Sequence, residues 1–372
     1  MNPILNESQA RTLSEKVLIH GGYVVSTQEI LDSGEIPRLK GYKVRLGKVS
    51  DSIFGGEGSY FDKSTRKEIK FENPSLNTKD NIPLRIMVRT QRVSTHDINR
   101  GEIPFKDQIL SVNHNYMRKL VEGVLGTSQF EVDGLNDNSV VIAAENLEQI
   151  PFENVLRAYM AKSSTETSLY QHFIQGKRKF CGHELLDDFI PNGKLPYVMD
   201  TPSTKSEEHD ESISIQELFR MNICSPQEYN QIRNSSLVAF GMVSQFLLER
   251  GLILVDTKTE HGVSHLGEIV VQDEVYTMDS SRFWRSDDYN KQLEMLESGE
   301  IDELNPKSFS KEFARGFSKG DEGYTDPQRV GIAVRYIEGI QYLTGRRFEP
   351  DMGSNEERIV SGLEIVVNQL IV

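Results

Sequence analysis

The sequence predicts an α+β protein of two units with a cleft between them, and three observations carry that reading. An apolar helical segment at residues 237–250 is stopped by Gly251 and followed at once by Leu252, Ile253, Leu254 and Val255, a continuous buried strand. A second strand, residues 268–271, returns after a short loop. In the first half, two short apolar strands at residues 84–88 and 140–144 flank one amphipathic helix. Neighbouring strands on short loops, mixed with helices, favour α+β units. A chain of 372 residues is long enough for more than one core.

In chain order, residues 1–37 read as a helical N-terminal extension that ends at Pro37. Residues 38–145 form the first unit. It opens on a strand at 40–54, where Tyr42, Val44 and Leu46 alternate with Lys43, Arg45 and Gly47. Gly55, Gly56 and Gly58 then make a hairpin turn, and the polar residues 62–81 an insertion or long loop. The helix at 105–124 places Ile109, Val112, Tyr116, Leu120 and Val124 on one stripe. Residues 146–372 form the second unit. Within it, 285–325 is charged and irregular, 328–343 is a helix ended by Gly345, and Ser354 with Glu357 has capping-box spacing for a last helix.

Composition narrows the function. The net charge of -14 disfavours nucleic acid and anionic membrane as partners. The two cysteines, Cys181 and Cys224, make neither a disulfide framework nor a four-cysteine metal site, so a reducing, cytoplasmic location is expected. No apolar run reaches the ~18 residues of a membrane span, and residues 1–11 have no apolar signal core. Oligomeric state is open, a homo-oligomer included.

The strongest chemical signal is Asp256, Lys258 and Glu260, spaced by two and therefore on one face at the end of a buried strand. Hard oxygens beside a cation suit a magnesium–nucleotide site. Asp273 and Glu274, expected on the partner strand, complete it if the register allows. The competing reading is a polar strand end with an ion pair. Arg157 sits in an otherwise apolar stretch and needs an anion, either a phosphate or a structural carboxylate. Arg282 follows Asp279, Ser280 and Ser281 on a turn. The polar loop holding Lys205, His209 and Asp210 either closes over a ligand or is surface with Asp210 as a helix cap. His172, Cys181 and His183 are too sparse for zinc, and Gly55 to Gly58 lacks the ending of a phosphate-binding P-loop.

Taken in order, these pieces resemble one family, the SAICAR synthetases, over residues 41–348. Gly47-Lys48-Val49 is similar to Gly-Lys-Val-Arg-Asp, with Ser50-Asp51 replacing Arg-Asp. Arg92-Val93-Ser94 and Asp97 are similar to Asp-Arg-Ile-Ser-Ala-Phe-Asp, with Gln91, Thr95 and His96 as departures. Pro151-Phe152-Glu153 through Arg157 to Ser163 resembles Pro-x-Glu-x-Val-x-Arg-(x)5-Ser, with Ala158 and Lys162 where glycines are expected. Thr201 to Lys205 with His209-Asp210 resembles the family's long loop. Leu252 to Gly262 resembles Leu-Ile-Leu-Val-Asp-Thr-Lys-x-Glu-x-Gly. Asp273-Glu274 with Asp279-Ser280-Ser281-Arg282-Phe283-Trp284 resembles Asp-Glu-(x)4-Asp-Ser-Ser-Arg-Phe-Trp, and Tyr342 to Gly345 the end of the last family helix. The last two strand motifs, in this order and spacing, are the specific ones.

The resemblance implies a SAICAR synthetase-like fold of two ATP-grasp-like α+β subdomains. It implies an ATP- and Mg2+-dependent ligase of de novo purine (IMP) biosynthesis. Its substrates are ATP, L-aspartate and carboxyaminoimidazole ribotide. By matched position, Lys48, Lys258 and Glu260 meet ATP, and Glu260 with Asp273 holds magnesium. Arg157, Ser163 and Arg282 take the ribotide phosphate, and Asp97 the imidazole ligand. Lys205, His209 and Asp210 meet the substrates, with Asp256, Lys258 and Lys205 as the catalytic set. The alternatives are a related ligase with another substrate pair and a non-catalytic nucleotide-binding relative.

Overall fold

The protein is described here by a computed structural model covering residues 4–20, 25–62, 67–95, 98–205 and 211–372. Two helices come first, α1 (Glu7–His20) and α2 (Thr27–Ser33). Ser26 and Glu29 form a reciprocal capping box that starts α2, and Gly34 in the left-handed region ends it. Both helices are built into cores: Leu5 and Ala10 are buried with the second-half helices, Ile30 and Leu31 with the first sheet.

The first sheet is antiparallel, in the order β1 (Ser50–Phe54), β4 (Leu84–Arg89), β7 (Val141–Glu145). The strand expected over 40–54 begins only at Ser50. At Gly47 the chain doubles back so closely that a Cβ would lie 2.2 Å from the Ser50 carbonyl oxygen. The expected glycine turn is a bend at Gly55 alone. Residues 56 and 58 belong to β2 (Gly56–Asp62), which pairs with β3 (Lys67–Asn73) as a two-stranded ribbon. The expected long loop at 62–81 therefore contains a strand. Four of its seven residues are charged, and it is exposed along most of its length, so it carries no burial pattern. A small hairpin of β5 (Arg92–Thr95) and β6 (Ile98–Glu102) leads to α3 (Lys106–Val121).

The second sheet has seven strands. Its central pair is β8 (Glu148–Tyr159) and a later strand, with α4 (Leu169–Ile174), β9 (Lys179–Phe180), β10 (His183–Glu184), β11 (Lys194–Asp200) and β12 (Ser203–Thr204) following β8. After α5 (Ile215–Arg220) and α6 (Pro226–Leu248) comes β13 (Leu252–Val263), the partner of β8. Then follow β14 (Ile269–Val271) and β15 (Ser281–Arg285). The order is β11-β8-β13-β15-β16, with β12 on β8 and β14 on β13. The segment expected to be irregular holds α7 (Ser286–Glu297), β16 (Ser308–Phe309) and α8 (Lys311–Arg315). In α7 only Tyr289 is fully buried, with Leu293 and Leu296 half-buried beside it, so the apolar stripe is short and set among charged residues. The chain ends with α9 (Asp326–Thr344) and α10 (Asn355–Leu370), both opened by capping boxes.

The main core lies between the second sheet and α3, α6 and α9. Helix α3 is buried on almost every side, not on one stripe, and carries Lys106, Asp107, Asn113, His114 and Arg118 into the interior. Their charges and amides have partners there, which is why polar residues replace an apolar pattern. The second core joins the first sheet to α2 and α10. The last helix, assigned by sequence to the 146–372 unit, thus packs on the first sheet. Its stripe Ile359, Leu363, Val366 and Val367 covers β4 and β7. Among the described residues, no helix is long and apolar enough to cross a membrane.

Candidate active site

The site is assembled on the central strands of the second sheet. Antiparallel register places Asp256 of β13 between Arg157 of β8 and Arg282 of β15. Arg157 Nη1 donates to Asp256 Oδ2 at 3.1 Å, and Arg282 Nε donates to Oδ1 at 2.9 Å. Arg282 Nη2 also bonds Asp256. Each guanidinium has a second anchor: Arg157 Nε donates to Thr201 Oγ1 at 2.9 Å, Arg282 Nη1 to the Lys162 carbonyl at 3.0 Å. Burial alone raises the Asp256 carboxyl; Arg282 and Arg157 outweigh it and hold the group below the usual carboxylate range.

Two and four residues along the same strand face are Lys258 and Glu260. Lys258 pairs with Glu153 of β8 and lies 3.5 Å from Glu260, which pairs with Lys205. Ser203 Oγ donates to Glu153 at 2.9 Å. Asp273 and Glu274 are in the loop after β14, not on the strand as expected. There they meet the first sheet: Arg85 Nη1 stands 3.1 Å from Asp273, and Arg89 Nη1 donates to Glu274 at 2.9 Å. Burial raises Asp273, but Arg85, Lys205, Lys258 and Arg89 together lower it. The lysines that hold Glu260 therefore also act on Asp273, so the two carboxylates share one region.

A cavity of about 300 Å3 opens beside the arginine clamp. Arg157, Arg282, Lys311 and Arg315 line it, with the hydroxyls of Ser163, Ser280 and Ser310 among others. Under it lies a buried charge pair, Lys106 Nζ to Asp279 at 2.7 Å, with Tyr336 donating to the same carboxylate. Burial and the neighbouring Lys106 and Arg315 charges bring Lys311 down to about 8, against the pull of Asp279 and Glu274. The pocket is rich in hydroxyls and lined by both cations and the carboxylates Glu153, Asp256, Asp279 and Glu312. Its arginines and lysines suit a phosphate monoester, and the adjoining lysines and carboxylates a metal-bound polyphosphate.

Comparison with known proteins gives the same family. A model of the SAICAR synthetase family matches residues 76–329. The phosphoribosylaminoimidazole-succinocarboxamide synthase of Bacteroides thetaiotaomicron is 35% identical over 289 residues, 74% of this chain and 86% of that protein. The chain belongs to the SAICAR synthetase family. Solved family members share the fold. The SAICAR synthase of Saccharomyces cerevisiae, complexed with SAICAR, has a TM-score of 0.58 at 19% identity, covering 83% of this chain and 97% of that one. A type-2 SAICAR synthetase in complex with ADP has a TM-score of 0.56 at 21% identity, covering 83% and 100%.

The family motifs converge in space. Arg92 pairs with the buried Asp51 and donates to the Gly47 carbonyl at 2.9 Å, which joins the Gly47-Lys48-Val49 and Arg92-Val93-Ser94 segments. Arg157, Ser163, Asp256, Lys258 and Arg282 all line the one cavity. Lys205, Glu260 and Asp273 lie beyond Lys258. Lys48 is in an exposed turn before β1 and is not among the cavity's lining residues. Asp97, His209 and Asp210 lie outside the described residues. Sequence reasoning missed Glu153, Lys311 and Arg315 as lining residues, and Arg85, Arg89 and Lys106 as partners of the acidic motif. Glu153 was legible as the face-mate of Arg157 and Val155 on one strand; the others needed the tertiary fold.

Glu260 and Asp273 fit a magnesium ion that binds through one or two carboxylates and substrate phosphates. Among the described residues, the buried Oδ1 of Asp273 receives no aligned hydrogen bond, which leaves it open to a further ligand. Among the described residues no cluster of three or more acidic, histidine or cysteine side chains forms a complete protein cage.

Proposed function

We propose that the chain is an ATP-dependent ligase that joins L-aspartate to 5-amino-1-(5-phosphoribosyl)imidazole-4-carboxylate, giving SAICAR, ADP and phosphate in de novo purine biosynthesis. The observation that carries this reading is the adjacency of two sites on one strand face: the Arg157–Asp256–Arg282 clamp at the hydroxyl-lined cavity, and the Lys258–Glu260 cluster beside it. The first has the chemistry of a ribotide phosphate site, the second that of a nucleotide polyphosphate site. The solved relatives bound to ADP and to SAICAR, and the name of the relative at 35% identity, support the same substrates.

In this reading the ribotide carboxylate oxygen attacks the γ-phosphorus and releases ADP, forming an acyl phosphate. The aspartate amine then adds to the acyl carbon; phosphate leaves with the C–O electron pair and the nitrogen loses a proton. Arg157, Ser163 and Arg282 hold the ribotide phosphate. Lys48, Lys205 and Lys258 neutralise the triphosphate, and Lys258 is positioned by Glu153 and Glu260. Asp256 orients both guanidiniums. Glu260 and Asp273 would hold a magnesium ion, which would supply charge neutralisation to the transferring phosphoryl group. Asp97, His209 and Asp210 are assigned to substrate contacts by the family motifs alone. The protein's part is mainly positioning and charge neutralisation. A cytoplasmic location goes with these soluble substrates and two free cysteines.

The test is ADP release by the purified protein with ATP, magnesium and the carboxylated ribotide, with and without L-aspartate, and the product followed by mass. Aspartate-dependent ADP release with the succinocarboxamide mass is the expected result. Bound ATP with no aspartate-dependent turnover refutes the substrate pair. Glu260→Gln is expected to lose about 10²-fold or more in turnover while melting as a folded protein; full activity removes Glu260 from the site.

A further inference from the structure

We infer that Arg85 holds the metal's place at Asp273 and makes metal binding depend on the nucleotide's phosphates. This rests on the reading of Asp273 as a metal ligand. Arg85 and Arg89 are four residues apart on β4, hence on the same face, and meet the consecutive carboxylates Asp273 and Glu274.

The two pairs are built differently. Arg89 donates an aligned hydrogen bond to Glu274 at 2.9 Å from a side chain only 3% exposed, a fixed clasp between the sheets. Arg85 Nη1 is 3.1 Å from Asp273 Oδ1, yet among the described residues that buried oxygen receives no aligned hydrogen bond. The rest of the Arg85 fork is engaged from behind: Nε and Nη2 both donate to Ser52 Oγ of β1 at 3.2 Å. Arg85 therefore offers Asp273 its charge without a fitted bond, and such a partner exchanges more readily than a fitted one.

Charge balance gives the exchange its direction. Among the described residues, the carboxylates Glu153, Glu260, Asp273 and Glu274 face the cations Lys205, Lys258, Arg85 and Arg89, so these charges balance. A divalent cation arriving alone displaces Arg85 from Asp273 and leaves a partly buried guanidinium beside a like charge. A cation arriving with a polyphosphate gives Arg85 a new anion, and the Ser52 anchor keeps the guanidinium at the site. Arg85 is thus a positioning residue that favours the metal–nucleotide complex over the free metal. By linkage, it strengthens nucleotide binding in the presence of metal by the same factor.

The experiment measures Mn2+ binding to the full chain by electron paramagnetic resonance, with and without ADP. Wild type is expected to bind Mn2+ weakly alone and far more tightly with ADP. Arg85→Gln is expected to bind Mn2+ alone about tenfold more tightly or better, with the ADP effect reduced to match. Arg85→Lys, which keeps the charge, stays near wild type. Ser52→Ala loosens the anchor while keeping Arg85, moves Mn2+ affinity the same way by a smaller factor, and serves as the second variant should Arg85→Gln not fold. Unchanged Mn2+ affinity in the folded Arg85 and Ser52 variants, with Asp273→Asn abolishing binding, overturns the role of Arg85 and leaves the metal site intact. Wild-type Mn2+ binding in Asp273→Asn overturns the metal assignment itself, and the inference with it.

Discussion

Replacing Asp256 by asparagine isolates the clamp that the ribotide phosphate is proposed to meet. The carboxylate is shared by two guanidiniums whose side chains are 16% and 14% exposed, and it is itself 8% exposed. Asparagine keeps the shape and removes the carboxylate charge that both arginines share, so two like charges remain together away from solvent. Removing one member of a buried ion pair costs about 3–5 kcal/mol. Thr201 and the Lys162 carbonyl still hold the two guanidiniums in place, so the site should survive as an uncompensated anion trap. Inorganic phosphate then restores stability by mass action, by about 2.7 kcal/mol at a hundredfold excess over its Kd. The assay is denaturant unfolding of wild type and Asp256→Asn, each with and without phosphate. The expected result is a large loss in the variant that phosphate reverses in good part, against a small phosphate effect in wild type. A loss below about 1 kcal/mol, or one that phosphate leaves unchanged, refutes the reasoning.

Three further outcomes follow from other parts of the molecule. His261 and His114 are fully buried, and burial brings each down to about 3; for His114 the Arg89 charge adds to it. Both are neutral when folded but take up a proton below their ordinary 6.5 when unfolded, so stability is whole above pH 6.5 and falls as pH drops toward 3. Each contributes up to about 5 kcal/mol over that window, from 3.5 pH units at ~1.4 kcal/mol each. Because neither ring nitrogen of His261 has a hydrogen-bond partner among the described residues, His261→Phe should raise stability by about 1–3 kcal/mol and flatten the acid limb of a stability–pH profile. Lys311 should lose its charge as pH rises through about 8, so phosphate affinity at the cavity should weaken between pH 7 and 9; in calorimetric titrations Lys311→Met should abolish that dependence. At Gly362 an added Cβ would meet Val141 Cγ2 at 2.6 Å, so Gly362→Ala should destabilise by about 1–3 kcal/mol in thermal or denaturant melts, despite its better helix propensity.

The phosphate-side motifs were legible because strand periodicity is strict. Once β13 is recognised from its apolar run, Asp256, Lys258 and Glu260 must share a face. The capping box at Ser354 was legible for a similar reason, since its partner Glu357 is three residues away. Elements that lack a buried face were not. Strand β3 is exposed along most of its length and helix α7 fully buries only Tyr289, so hydrophobic periodicity gave little signal there. Helix α3 failed in the opposite sense: it is buried nearly all round, and its polar residues hide that burial.

The sequence by itself determined the family, the strand that carries the acidic and basic residues, and the residue types needed for phosphate and metal chemistry. Only the tertiary structure decided which charges meet. Asp256 could have faced solvent, a metal or one arginine; the register of β8 and β15 gives it two. Asp273 was expected on a strand, but a loop turns it toward Arg85, a partner 188 positions away by number (273 less 85) and on the other sheet. The last helix, too, returns to the first sheet because that is where an uncovered apolar face remains. Local pattern fixes which way a side chain points from its own strand. The partner across the gap depends on long-range packing, to which sequence spacing is blind.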